Sequence, residues 1–292
     1  MATGRDETTP SAFFAIFVKN TNDMKRIFTL ACAAMLVAAL SFNVNSFAQQ
    51  RGRRVAKAAA AQAQAQALQI PESGFLAPED VPNGYVFLPA PPQPGSAQYY
   101  NDYYYHCWGK EQRADKARAD QASADYFAFT FITNANVFKD IFGLEISEEG
   151  TPEIYALLTG VEKNAKQASR VAKNAYKRVR PYDQFKEPSL IEERGEEDDL
   201  RGSFSYPSGH SNRNWIVAQL LIEINPAAAN EIMLRARTFA ENRLVCGHHY
   251  KSDIDAGMML AMSVVATLHG NEAFLAQMSR AKAEFQRLTA AK

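Results

Sequence analysis

Cysteine is scarce in this chain. Only Cys32, Cys107 and Cys246 occur in 292 residues, which leaves room for at most one disulfide. An excess of charge of either sign is also lacking. Lysine plus arginine number 32 and aspartate plus glutamate number 32, so nothing in the net charge points to a nucleic-acid partner. No run of alternating apolar and polar residues marks a set of strands, and there is no internal repeat, so the fold class is expected to be all-α. Beyond the first 42 residues no apolar run is long enough to cross a membrane, which needs about 20 residues. What remains is a chain 47% hydrophobic and 22% charged, long enough for one globular domain with a sizeable core. Function must then come from local constellations.

The N-terminus reads as an address. Met24-Lys25-Arg26 is a basic start, Ile27 to Phe42 is apolar, and Ser46-Phe47-Ala48 is a small-x-small cleavage site before Gln49. Met24 is the expected true start, residues 1–23 a misassigned extension, and 24–48 a signal peptide. An internal membrane anchor is the alternative, and its apolar run is short for a span. Cys32 would leave with the signal; the Thr-Leu-Ala before it is a poor lipidation motif. The mature protein is expected to be soluble, periplasmic or secreted, with no stable membrane insertion. Cys107 and Cys246 would remain and are able to pair only if the fold brings them together. Residues 49–70, rich in alanine and glutamine without an apolar face, read as a tether. The folded domain is expected over 71–292.

Pro71 to Pro94 is proline-rich and should run extended around a core rather than contribute to it. Tyr99 to Tyr105 places tyrosines around Asp102, a patch more typical of packing than of ligand contact. Gln112 to Thr133 suits one helix. Gly150-Thr151-Pro152 then offers a break, an N-cap and a proline at the first helical position. Ile154, Leu158, Val161, Ala165, Ala168, Ala172 and Ala175 lie on one face of a long helix that Pro181 should close. Tyr182 to Phe204 reads as a loop bearing Glu192, Glu193, Glu196, Glu197, Asp198 and Asp199. Helices are expected over about Ser208–Ile224, Pro226–Val245, Asp253–His269 and Glu272–Leu288.

Three clusters carry chemistry. Pro207-Ser208-Gly209-His210 is a tight turn opening a helix. Its free N–H groups and positive dipole end suit an anion, Ser208 adds a hydroxyl, and His210 adds a group that titrates near neutrality. The plainer alternative is an N-cap serine with an incidental histidine. Lys173 precedes Arg180-Pro181 by seven positions, two helical turns or about 10 Å, so both side chains can reach one anion. The alternative is a solvated basic face that includes Lys177 and Arg178. In the third cluster Arg243 continues the inward spacing of Ile232, Ala236 and Phe239, and an inward arginine needs an anionic partner. His249 and Asp253 are four apart, so the carboxylate can fix one ring nitrogen and leave the other as a directed nucleophile. His248 has no partner in register and reads as a neighbour. Cations, a hydroxyl, free amides and two histidines together suit phosphoryl transfer, in which equatorial oxygens are cradled between a nucleophile and a proton donor. A metal site is the competing reading of histidines near an aspartate, and cations in the same pocket would repel the metal.

In this order and spacing the three clusters resemble the signature of the type 2 phosphatidic acid phosphatase superfamily, which also includes vanadium haloperoxidases. Within it the chain is similar to the bacterial class A non-specific acid phosphatases from about Leu88-Pro89 to Arg287. The shared stretches include Ile222-Glu223-Ile224-Asn225-Pro226, Ser252-Asp253-Ile254-Asp255-Ala256-Gly257 and Val265-Ala266-Thr267-Leu268-His269. The resemblance implies a single-domain helical bundle of that type and an acid phosphatase domain over 71–292. It implies that His249 attacks phosphorus, that Asp253 holds its other nitrogen, and that His210 protonates the leaving oxygen and then activates water. Lys173, Arg180, Ser208, Gly209 and Arg243 would bind the phosphoryl oxygens, with no metal and no cofactor. Substrates would be small phosphate monoesters (nucleotides, aryl and sugar phosphates), with phosphate transfer to alcohols as a side activity and a homo-oligomer as the assembly. A vanadium haloperoxidase and a non-catalytic phosphate-binding protein are the other readings. Two departures stand out. Asn242 occupies the usual place of a serine, and the loop between the first two clusters is unusually acidic. Its six carboxylates are expected to act as a filter against polyanionic substrates.

Overall fold

A computed structural model describes residues 72–290. The expected extension, signal peptide and tether over 1–70 lie outside the described residues. Among those described there is no strand, and the all-α expectation holds.

The proline-rich segment departs from expectation. Phe75, Leu76, Val81 and Leu88 are buried in the main core rather than wrapped around it. With no ladder to join, this backbone takes hydrogen bonds from side-chain amides, chiefly one that is buried. Asn164 accepts from the N–H of Phe75 (3.0 Å) and Leu76 (3.2 Å) and donates to the carbonyls of Ser73 and Leu76 (3.0 Å each). A short helix α1 (Gly84–Phe87) follows, capped by Asn83.

The tyrosine patch is helix α2 (Ala97–Glu111), started by Ser96. Its faces are the reverse of a packing patch: Tyr100, Tyr103 and Tyr104 are exposed, whereas Asp102 and His106, four apart, are buried. The single helix expected over 112–133 is broken. A 3-10 turn (Gln112–Ala114) precedes α3 (Lys116–Tyr126), where the Asp115 side chain accepts from Ala117 and Arg118 and restarts the chain. Thr130 and Thr133 form a capping box that opens α4 (Phe131–Asn136), and α5 (Lys139–Phe142) ends at the left-handed Gly143.

The long helix α6 (Pro152–Tyr176) presents the expected apolar face from Ile154 to Ala172, but Ala175 is exposed and Pro181 does not close the helix. It ends four residues earlier, where Lys177 turns left-handed (φ 47°), and Pro181 instead opens α7 (Pro181–Phe185) as its first residue. The acidic loop contains a second short helix, α8 (Leu190–Glu193). The remaining helices lie within three residues of expectation. They are α9 (Gly209–Ile224), α10 (Ala229–Val245, after a 3-10 turn at Pro226–Ala228), α11 (Lys251–Leu268) and α12 (Glu272–Thr289).

Helix α9 is the centre of the bundle. It packs against α4, α6, α10 and α11, which explains why apolar residues occupy nearly all its sides instead of one stripe. Helix α12 lies along α6, and α10 is flanked by α2 and α3. Gly257 permits the closest approach. A Cβ there would sit 2.7 Å from the Ser208 carbonyl oxygen and 2.8 Å from the Ser211 Cβ, so α11 meets the start of α9 only with glycine. Cys107 and Cys246 are both free thiols, so the one possible disulfide is not formed; the Cys246 thiol donates to the Ala122 carbonyl (3.2 Å). No single helix among the described residues is long and apolar enough to cross a membrane.

Candidate active site

The three sequence clusters converge where α9 and α11 begin. The Ser208 hydroxyl accepts from Ser211 N (3.2 Å), so the capping reading of this serine is correct as far as its oxygen goes. Its own N–H donates to the Asp253 carbonyl (3.0 Å), which staples the turn to α11. The N–H groups of Gly209 and His210 are the first two of α9 and have no partner within the helix.

Lys173 and Arg180 do meet, though not by sharing a helix. Lys173 lies in the last turn of α6 and Arg180 caps α7, and the turn between them swings Arg180 inward. Lys173 Nζ (2.9 Å) and Arg180 Nη2 (3.1 Å) donate to the same Phe204 carbonyl. Arg180 is buried, and its Nε donates to Ser203 (3.0 Å) and its Nη1 to the His248 carbonyl (2.8 Å). Nη1 also lies 3.2 Å from His249 Nε2.

The carboxylate of Asp253 only accepts, so the His249 Nδ1 that faces its Oδ2 at 3.3 Å carries the proton. His249 Nε2 is left with a lone pair directed at the cations. The same argument fixes His210: its Nε2 donates to the Tyr126 carbonyl (3.2 Å), which leaves Nδ1 with the lone pair of the neutral ring. Tyr126 and Phe129 flank the ring.

Arg243 is fully buried, and none of its three guanidinium nitrogens has a hydrogen-bond partner among the described residues. Only the Tyr126 ring lies under it, at 5.5 Å. A buried cation without a counter-charge is strongly disfavoured, so this arrangement suits an anion. The titration of its neighbours agrees. Burial, then Arg180, Lys173 and Arg243, hold His249 well below its ordinary value; burial, then Arg243, does the same to His210. Burial and then Arg180 push the Lys173 ammonium down to about 7. Burial contributes most to each of these shifts and crowded positive charge adds to it, and a bound anion would reverse that Coulombic part.

Two partners were invisible in the sequence. His248 is no idle neighbour, because its Nε2–H donates to the buried Asp198 (2.7 Å), which also accepts from the Tyr126 hydroxyl (3.1 Å). Burial, opposed by Asp198, pushes His248 down to about 3. Burial, the largest single influence on Asp198, pushes its carboxyl up, but the hydrogen bonds from His248, Ser189 and the Leu200 N–H and the attraction of His248 together outweigh it and hold the carboxyl below its ordinary value. Fifty positions separate the two residues, and no spacing rule links them. Arg178, which the alternative reading of the first cluster put on a solvated face, points inward to Asp102 (2.7 Å) and Asp253 (2.6 Å).

The acidic loop is less free than its composition suggests. Asp198 is committed to His248, Glu192 pairs with Arg201, and Glu193 with Arg113. Glu196, Glu197 and Asp199 remain exposed. Asn242 does not support Arg243; its amide donates to Asp125 (2.7 Å), itself paired with Arg235. Among the described residues no three His, Cys, Asp or Glu side chains gather as a metal-ligand set.

The family model of the PAP2 superfamily matches residues 154–273, which contain all three clusters. A non-specific acid phosphatase of Providencia stuartii is 36% identical over 220 residues, 75% of this chain and 87% of the relative. The chain belongs to this family. It is a class A non-specific acid phosphatase of the PAP2 superfamily, a phosphoric monoester hydrolase. A non-specific acid phosphatase of Salmonella typhimurium is 31% identical over 72% of this chain and 83% of its own. An acid phosphatase of Zymomonas mobilis is 37% identical over a shorter stretch, 40% of this chain and 43% of its own. A solved transmembrane PAP2-type phosphatidylglycerolphosphate phosphatase from Bacillus subtilis is 19% identical, covering 57% of this chain and 95% of that one. Its TM-score of 0.28 is too low to bear on the fold.

Proposed function

We propose that this acid phosphatase hydrolyses small phosphate monoesters without a metal, through a phosphohistidine on His249. The phosphoryl group binds between Lys173, Arg180 and Arg243 on one side and the Ser208–Gly209–His210 turn on the other. The lone pair of His249 Nε2 attacks phosphorus and forms an N–P bond as the bond to the leaving oxygen breaks. The Nδ1–H of His210 protonates that oxygen. Neutral His210 then takes a proton from water, whose oxygen attacks phosphorus and releases His249 and phosphate. An alcohol in place of water would give phosphate transfer. Asp253 holds the His249 tautomer and stabilises the positive charge that develops on the ring.

The observation that carries the reading is the unpartnered guanidinium of Arg243 beside Arg180 and His249. Phosphate binding alone would need neither a nitrogen lone pair aimed into the cradle nor a second histidine. In the free protein His210 is neutral, so its working proton arrives with the substrate anion, whose charge lifts the repulsion of Arg243. The N-terminal basic–apolar–small pattern supports export from the cytoplasm. The test is phosphate release from aryl and nucleoside monophosphates in excess chelator, with acid-labile phosphate trapped on His249 after rapid quench. Activity that vanishes in chelator and returns with zinc or magnesium would overturn the mechanism.

A further inference from the structure

Asp253 carries more than one partner should require. Its Oδ2 accepts from the Tyr250 N–H (2.9 Å) and faces His249 Nδ1, and its Oδ1 accepts from Arg178 Nη1 (2.6 Å). Arg178 continues outward: its Nη1 also reaches the Ser252 hydroxyl (2.8 Å) and its Nη2 reaches Asp102 (2.7 Å). Asp102, on α2, then returns to the same turn, accepting from the Ser252 N–H (2.8 Å) and hydroxyl (2.6 Å). The guanidinium lies over the Tyr250 ring, 3.8 Å from its centre. Asp102 and Asp253 are buried and the Arg178 side chain nearly so.

We infer that Arg178 and Asp102 are positioning residues for the reaction, the outer half of a chain Asp102–Arg178–Asp253–His249 that sets the orientation and charge of the nucleophile. The inference rests on His249 being that nucleophile. Two buried carboxylates and one guanidinium leave the chain with a net charge of −1, which a lone Asp253 would also supply. The difference lies in geometry. The planar fork of Arg178 engages both carboxylates, pins the Asp253 plane, and thereby directs Oδ2 at His249 Nδ1. Arg178 reaches this position because α6 ends at Tyr176; on a continued helix it would not face the start of α11.

The chain predicts opposite signs for two neutralising substitutions. Arg178→Gln leaves two buried carboxylates, makes the surroundings of His249 more negative and favours its protonated form. The acid limb of kcat/KM should then move to higher pH, by about one unit for a charge at this range. Asp102→Asn leaves Arg178 less neutralised, and the limb should move to lower pH. Arg178→Lys keeps the charge but loses the fork, so its limb should stay near the wild type while kcat falls. Loss of such a supporting partner typically costs about 10- to 100-fold. The other groups facing His249, namely Lys173, Arg180, Arg243, His210 and His248, are common to all variants and drop out of the comparison.

The experiment measures kcat/KM against pH for the full chain and the three variants on one aryl phosphate, with melting temperatures. Opposed shifts for Arg178→Gln and Asp102→Asn, with the lysine variant between them, support the chain. Limbs that stay put or move the same way, with kcat/KM following only the melting temperature, overturn it. Should Arg178→Gln not fold, the direction taken by Asp102→Asn decides. Rapid-quench trapping on the wild type separates the premises. No phosphate on His249 sinks the nucleophile assignment itself, whereas phosphate there with unmoved limbs sinks only this inference.

Discussion

His210 and Arg243 occupy the two most informative residue positions. If the Nδ1–H of His210 is the acid, His210→Ala should slow turnover by roughly a hundred- to ten-thousand-fold for poor leaving groups. The loss should shrink for aryl phosphates with acidic phenols, which need little protonation. Equal losses across a leaving-group series would remove His210 from that role. Arg243 makes a different prediction, because its guanidinium is buried without a hydrogen-bond partner among the described residues. Arg243→Met should cost about a hundredfold or more in kcat, as the loss of a charge-stabilising group does. The same variant should melt no lower than the wild type in phosphate-free buffer, since replacing an unpaired buried charge by an apolar side chain is often neutral or stabilising. A clear drop in its phosphate-free melting temperature would mean that Arg243 has a structural counter-charge.

At the scale of elements, the site depends on how closely α11 approaches the first turn of α9. Gly257→Ala would place a methyl group within 2.8 Å of the Ser208 carbonyl oxygen and the Ser211 Cβ, so the helices must separate slightly. Overpacking of this kind costs about 1–3 kcal/mol. A displacement on the order of 1 Å in the Ser208 turn would cost about a hundredfold in rate. The variant should therefore lose far more activity than melting temperature, and proportionate losses would place the strain elsewhere. The 182–204 loop is tethered from inside by Asp198 rather than held off as a cloud of charge. The electrostatic filter anticipated from six carboxylates reduces to Glu196, Glu197 and Asp199. Changing Glu196 and Glu197 to glutamine should raise the ATP-to-AMP ratio of kcat/KM only slightly, and only at low salt. Asp198→Asn, in contrast, should loosen the loop and lower kcat for both nucleotides alike.

For the whole molecule, the buried histidines set the dependence of stability on pH. His210, His248 and His249 all have folded values below the ordinary 6.5, so the unfolded chain binds their protons first. Their contribution is complete above the unfolded value and is lost as pH falls below it, by up to about 1.4 kcal/mol per pH unit for each group. Lys173, lowered to about 7, carries the penalty of a buried cation in full below that pH. Phosphate or vanadate in the cradle offsets the cationic part of both effects. The melting temperature should fall between pH 7 and pH 5 in phosphate-free buffer, and the fall should be smaller with saturating phosphate. Parallel curves would show that the anion does not sit among these groups.

What the sequence determined by itself was local. The apolar face from Ile154 to Ala172, the cap at Ser208, the inward register of Arg243 and the four-residue step from His249 to Asp253 follow from short-range geometry and appear in the fold. The Thr151 side chain, in contrast, makes no capping bond, and the first N–H groups of α6 go instead to Glu284 on α12. Longer-range pairing was decided only by tertiary structure. Lys173 and Arg180 meet because a left-handed Lys177 ends the helix, not because they share it. His248 finds Asp198 and Arg178 finds Asp102 across 50 and 76 positions. Helical periodicity says which side of an element a residue occupies. It cannot say which distant carboxylate a buried cation will meet, because that choice is made by the packing of the helices around α9.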